Sequence, residues 1–404
     1  MSKRHILFVD DEPNILQGIR RMFRPLREEW EIETAESGEQ ALALLDQSPF
    51  DVIVSDMRMP GMDGVRLLTE VMKRHPQIIR LVLSGHSDQE SILRSVGPTH
   101  QYLTKPCDAE TLKNTIDRAC SLQSLLGDEK LRRTISQIQS LPSLPALYTE
   151  VLTELRSPEA SIEKIGHIIS RDAGMTAKLL QLVNSAFFGF YSHVNDAMRA
   201  VTILGLDKIR SLVLSIHVFT SLIHSEEANA TMNAYWKHNL MVGSCAKRIA
   251  QDLKQSKPFQ EEALMAGMLH DTGKFIMLAK LHDQYEEIVQ RARANNCTQI
   301  ECEYEIMGAS HAEIGAYLLG LWGLPTPIVE AVAFHHQPQL SKFQQLAPLT
   351  IVHIADAILR KLQPLEPLDP IPVDVEYLQQ LGLADQMPRW EADCENFIGT
   401  SESF

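Results

Sequence analysis

Three short apolar runs, at residues 6–9, 52–54 and 78–83, with weaker ones at 30–34 and 101–103, constrain this chain more than any other feature. Between them lie stretches with helical spacing of apolar residues, at 15–23, 39–45 and 65–74. A strand buried on both faces reads as a nearly continuous hydrophobic run, and alternation of such runs with helices needs a parallel sheet with helices on both sides. The expectation for residues 1–122 is therefore an α/β doubly wound domain with a five-stranded parallel sheet.

Polar residues fall directly after these runs. Asp10 and Asp11 follow the first, Asp56 and Ser84 lie just past those at 52–54 and 78–83, and Lys105 is close behind the one at 101–103. In an open parallel sheet the C-terminal strand ends share one edge, which is where such folds bind ligands. Three carboxylates gathered there repel one another, and a hard divalent cation such as Mg²⁺ is the simplest relief. A carboxylate beside that ion can attack a phosphoryl donor, with Lys105 and Ser84 supplying a positive charge and a hydroxyl donor for the phosphoryl oxygens.

Four segments in the same order resemble the flavodoxin-like receiver domain of two-component response regulators. They are Phe8-Val9-Asp10-Asp11-Glu12-Pro13, Ser55-Asp56-Met57-Arg58-Met59-Pro60-Gly61, Leu83-Ser84-Gly85 and Thr104-Lys105-Pro106. The resemblance implies that Asp56 is the phosphoacceptor and that Asp10, Asp11, Asp56 and the backbone carbonyl of Arg58 hold Mg²⁺. It further implies that Ser84 and Lys105 grip the phosphoryl group, that Tyr102 is an aromatic switch, and that Lys105-Pro106 is cis. A sensor histidine kinase is the implied partner.

Residues 123–140 continue the helical pattern past a Gly127-Asp128 interruption and read as a helical linker. From Leu141 to Leu362 almost everything is amphipathic helix, with prolines where helices begin or end. This predicts an all-α domain at 141–340 and a C-terminal helical extension and tail at 341–404. His238, His270, Asp271, Lys274, His311, His335, His336 and Asp356 are scattered through it. Histidine and aspartate from facing helices are usual ligands for Fe, Mn or Zn inside helical bundles. Lys274, close behind His270-Asp271, is placed to meet a phosphate. Each residue alone also has a structural reading: Ser310-His311-Ala312-Glu313 is a capping box, and His353 and Asp356 are spaced to pair with each other.

The segments Leu141-Pro142-Ser143-Leu144-Pro145, Leu182-Val183-Asn184-Ser185, Leu269-His270-Asp271-Thr272-Gly273-Lys274 and His335-His336 resemble the HDOD domain, a relative of the HD phosphohydrolases. Most such domains are regarded as signalling modules acting through partners. The related HD-GYP domains hydrolyse a cyclic dinucleotide, but Gln337-Pro338-Gln339-Leu340 follows His335-His336 here and the Gly-Tyr-Pro element is absent. The expected function is a response regulator in which phosphorylation of Asp56 controls an HDOD output. A receiver-gated metal-dependent phosphodiesterase or phosphohydrolase is the alternative.

Composition narrows the partners. With 38 basic against 52 acidic residues the formal charge is −14, which opposes direct nucleic-acid or membrane binding. Six scattered cysteines without a C-x-x-C pair, and no secretory core near the start, lead us to expect a reduced, cytoplasmic setting. A homodimer is left open.

Overall fold

The apolar runs become β1 (Arg4–Val9), β2 (Trp30–Ala35), β3 (Val52–Asp56), β4 (Ile79–Ser84) and β5 (Gln101–Thr104) of one sheet, parallel throughout, in the order β2-β1-β3-β4-β5. This computed structural model describes residues 3–85, 98–139, 150–184 without 152, 156 and 158, 194–215, and 226–401 without 296, 343, 344 and 365–371. The Leu141-Pro142-Ser143-Leu144-Pro145 motif and Ser185 lie outside the described residues.

Successive side chains of a strand point to opposite faces. Leu7, Val9, Ile53 and Val82 accordingly pack beneath α2 (Gly38–Gln47) and α3 (Gly64–Arg74). Ile6, Phe8, Val52, Val54 and Leu81 face the opposite way, with α1 (Pro13–Met22) and α4 (Ala109–Leu122). Ser37, Asp63 and Asp108 begin three of these helices by accepting a backbone N–H, satisfying donors that a helix start leaves unpaired.

The second sheet face is continuous with the rest of the molecule. Beyond α4, Gly127 and Asp128 break the helix, and α5 (Glu129–Ser136) starts with Asp128 accepting from Leu131 N–H. Leu122, Leu126, Leu131, Ile135 and Ile138 are all buried in the core shared with the helical domain. The segment expected to be a helical linker thus carries a helix with one face buried in that core and the other exposed.

The helical domain contains α6 (Ile162–Ser170), α7 (Ala173–Val183), α8 (Ala197–Ser215), α9 (Glu226–Asp252) and α10 (Lys257–Leu269). It continues with α11 (Thr272–Lys280), α12 (His282–Asn295), α13 (Gln299–Met307), α14 (His311–Leu321), α15 (Thr326–Phe334), α16 (Pro348–Leu362), α17 (Val375–Gln380) and α18 (Met387–Ser401). Helices α9, α10, α15 and α16 pack on one another, and α11 lies along α14. Among the described residues no helix is long and apolar enough to cross a membrane.

Candidate functional sites

At the sheet edge Lys105 ties two carboxylates together. Its Nζ donates to Asp10 Oδ2 at 2.6 Å and is ion-paired with Asp56 Oδ1. The N–H of Arg58 donates to Asp56 Oδ2 at 2.8 Å, and the N–H of Glu12 donates to Asp10 Oδ1 at 2.9 Å. Burial holds the Asp56 carboxyl above its ordinary value, outweighing Lys105 and the Arg58 N–H. Lys105 loses by its own burial, yet the two carboxylates raise it overall.

Ser84, paired in register with Thr104, has its buried hydroxyl without a hydrogen-bond partner. Tyr102 is buried in the sheet-face cluster, and Lys105-Pro106 is cis. The loop carrying Arg58 returns so closely that a Cβ on Gly64 would overlap the Asp56 carbonyl oxygen.

Lys105 joins Asp10 and Asp56, while Asp11, the third carboxylate expected here and next to Asp10 in the chain, is exposed. The Lys105 ammonium supplies the counter-charge that gathers Asp10 and Asp56 in this state. Two hard carboxylates and an orphaned buried hydroxyl nevertheless suit a phosphoryl group with Mg²⁺.

The helical domain brings together every histidine and aspartate offered from the sequence as a metal ligand. One group is His238, His270 and Asp356; the other is Asp271, His311, His335 and His336. His270 and Asp271 occupy the corner between α10 and α11, His311 opens α14, His335 and His336 follow α15, and His238 and Asp356 come from α9 and α16.

Ring orientation is set from outside. His270 Nδ1 lies 2.6 Å from the Gly267 carbonyl and His335 Nδ1 lies 2.9 Å from that of Val332. A carbonyl can only accept, so each Nδ1 carries the hydrogen and each Nε2 presents a lone pair to the interior. Those two Nε2 atoms, and Asp271 Oδ1, are buried without a hydrogen-bond partner. His311 Nδ1 contacts Glu303 at 2.8 Å, and its Nε2 lies 3.1 Å from Asp271 Oδ1 and 3.0 Å from His336 Nε2. Burial lowers His311, but Glu303 and Asp271 more than compensate and hold it up at about 9. Burial pushes His335 down to about 4.

Inward lone pairs, outer acceptors on the opposite nitrogens and an orphaned carboxylate oxygen make a donor set that fits a divalent transition metal.

Two residues of this site were not expected. Arg360 is buried and donates through Nε to Asp356 at 2.8 Å and through its terminal nitrogen to Asp271 at 3.1 Å. Its signal was present, four positions after Asp356 on one helical face. Glu303, fully buried, also accepts the His311 backbone N–H at 2.8 Å; no local pattern marks it, since it belongs to a different helix.

Lys274, expected to meet a phosphate, is buried with Nζ 3.0 Å from Asp271 Oδ2. His353 does not pair with Asp356: its Nδ1 faces the His335 carbonyl at 2.7 Å, and its Nε2 accepts from Asp374 N–H at 2.8 Å. With both nitrogens used it holds backbone in place. The capping box at Ser310 and Glu313 is present as expected.

The two sites are joined through α14. The Gln101 amide donates to the Gly320 carbonyl at 3.2 Å, the Arg118 guanidinium donates to the Leu324 carbonyl, and the Ser136 and Tyr317 hydroxyls are 3.1 Å apart.

Comparison with known proteins agrees with both halves. Residues 6–117 match the response regulator receiver domain and residues 141–338 match the HDOD domain. The chain therefore consists of an N-terminal receiver domain followed by an HDOD domain. It is 41% identical over 125 residues to the hydrogenase transcriptional regulatory protein HoxA of Cupriavidus necator, covering 30% of this chain and 25% of that one. An uncharacterized protein of Treponema pallidum is 26% identical over 249 residues, covering 60% of this chain and 47% of its own length. This chain thus spans about a quarter to a half of those relatives. Among solved structures, the MmoQ response regulator of Methylococcus capsulatus is 23% identical with a TM-score of 0.48, covering 63% of this chain and 98% of that one.

Proposed function

We propose that this protein is a cytoplasmic response regulator in which Asp56 takes a phosphoryl group from a sensor histidine kinase and thereby controls an HDOD output that acts by contact with a signalling partner. The observation that carries the reading is the grip of Lys105 on Asp10 and Asp56 beside an unpartnered Ser84 hydroxyl. In the transfer, an Asp56 oxygen forms the new O–P bond as the donor's P–N bond breaks, leaving an acyl phosphate on the protein and a histidine that takes up a proton. Lys105 offsets the incoming charge and Ser84 donates to a phosphoryl oxygen. Asp10, Asp11, Asp56 and the Arg58 carbonyl would hold Mg²⁺, which when bound neutralises charge on the phosphoryl oxygens. Incubation with a small acyl phosphate and Mg²⁺ should give one acid-labile phosphate per chain. Equal labelling of Asp56→Asn, or none in the wild type, overturns the reading.

A specific observation also favours a metal-binding output domain. The inward Nε2 atoms of His270 and His335 and the Asp271 oxygen have no hydrogen-bond partner and lie among further histidines. His238, His270, Asp271, His311, His335, His336 and Asp356 would hold Fe, Mn or Zn, which when bound supplies a Lewis acid of the kind used in phosphoester hydrolysis. Glu303 would orient His311 toward that ion, while Lys274 and Arg360, buried against Asp271 and Asp356, would offset the carboxylate charge around it. Elemental analysis of purified protein tests this. Stoichiometric metal lost in the double variant His270→Ala with Asp271→Ala supports it, and a metal-free protein inert toward phosphodiesters after metal supplementation refutes it.

A further inference from the structure

We propose that α14 is the rod through which the receiver sets the state of the His/Asp cluster: its C-terminal end is held by β5 and α4, and its N-terminal end carries His311. This rests on the reading that Asp56 is phosphorylated and names how that event reaches the second site.

The connection runs without a gap. Lys105, paired to Asp10 and Asp56, directly follows β5. At the other end of that four-residue strand, Gln101 donates to the Gly320 carbonyl at 3.2 Å. Packing is close there: a Cβ on Gly320 would come within 2.5 Å of Leu122 of α4, and one on Gly323 within 3.1 Å of Gln101. Arg118 of α4 donates to the Leu324 carbonyl just beyond the helix. A change in how Lys105 is held therefore bears on the backbone at the C-terminal end of α14.

The rod has little room to absorb such a change. Its eleven residues span about 16 Å, and all but Glu313 are buried. Close-packed interiors pass displacement on, because neighbouring atoms lack voids to move into. At the far end the backbones of α11 and α14 touch: a Cβ on Gly315 would come within 2.9 Å of Gly273 N, and one on Gly273 would overlap the His311 carbonyl. His311 Nε2 is 3.1 Å from Asp271, and Glu303 holds both its ring and its N–H. Sliding or turning α14 thus displaces His311 against Asp271, a member of the same ligand group as His335 and His336.

The test uses the full-length chain and hydrogen exchange of the peptide spanning residues 303–315. Gly320→Val wedges the joint, Gln101→Ala releases it more gently, and Gly18→Ala, where nothing lies within 4 Å of an added Cβ, is the control. Without any phosphodonor, the first two should change exchange at 303–315 by at least about fivefold while the control does not. Should Gly320→Val fail to fold, Gln101→Ala decides alone. Altered exchange confined to residues 316–324, with 303–315 as in wild type, overturns the rod.

Treatment of the wild type with an acyl phosphate and Mg²⁺, monitored by intact mass, is the second arm. A phosphorylated wild type that leaves 303–315 unchanged overturns the inference. A wild type that never gains a phosphoryl group removes the Asp56 reading instead, and the joint variants still decide the linkage.

Discussion

Lys178 offers a sharp test of how the helical domain is packed against the receiver. The side chain, on α7, is buried with its ammonium 2.6 Å from the Gln139 carbonyl and 4.6 Å from the centre of the Trp322 ring. Burial lowers it from 10.5 to about 7. Between those values the unfolded chain binds a proton that the native state does not, so stability rises with pH across this window and the full penalty is present below about 7. The gap of about 3.5 pH units, at about 1.36 kcal/mol each, amounts to about 5 kcal/mol.

Lys178→Met keeps most of the volume and removes the charge. The variant should be more stable than wild type at pH 7, with the difference shrinking by up to about 5 kcal/mol as pH approaches 10.5. Urea midpoints at pH 7, 8.5 and 10 measure this. Taking the difference between the two proteins cancels every other titrating group. Parallel curves for wild type and Lys178→Met would refute the reasoning.

Three further outcomes follow from the sites. Glu303→Ala leaves His311 without its buried carboxylate and should cost about 3–5 kcal/mol, while Glu303→Gln should weaken metal uptake by about 10- to 100-fold; titration with Co²⁺ reads the second effect. Arg360→Met strips a counter-charge from Asp271 and Asp356, so melting temperature should fall in chelator and recover on adding Mn²⁺ by more than wild type gains. Gly64→Ala should lose about 1–3 kcal/mol and accept less phosphate, because the added methyl overlaps the Asp56 carbonyl on the loop that brings in the Arg58 N–H; phosphate labelling together with thermal melts checks both.

The receiver half was legible because its information is local. Three of the strands hold contiguous apolar runs, each chemical residue lies at or just beyond a strand end, and parallel pairing places those ends on one edge. The observed strands reproduce the expected runs to within two residues at each end. What local reasoning did not foresee was that the Lys105 ammonium joins Asp10 and Asp56 directly.

In the helical half the sequence by itself singled out the histidines and aspartates that meet, and the fold class that brings histidines from facing helices together. Tertiary structure alone decided that these residues form two adjoining groups, that Glu303 belongs with them, and that His353 does not. It also buried one face of the expected linker in the core and placed Gly320 under the receiver. The physical reason is separation along the chain. Helical periodicity tells which face of a helix is buried, but which side chains meet across that face depends on how several helices cross, and no local pattern encodes that. A lone pair aimed inward by a carbonyl three residues back, as at His270 and His335, becomes visible only when the ring's surroundings are in place.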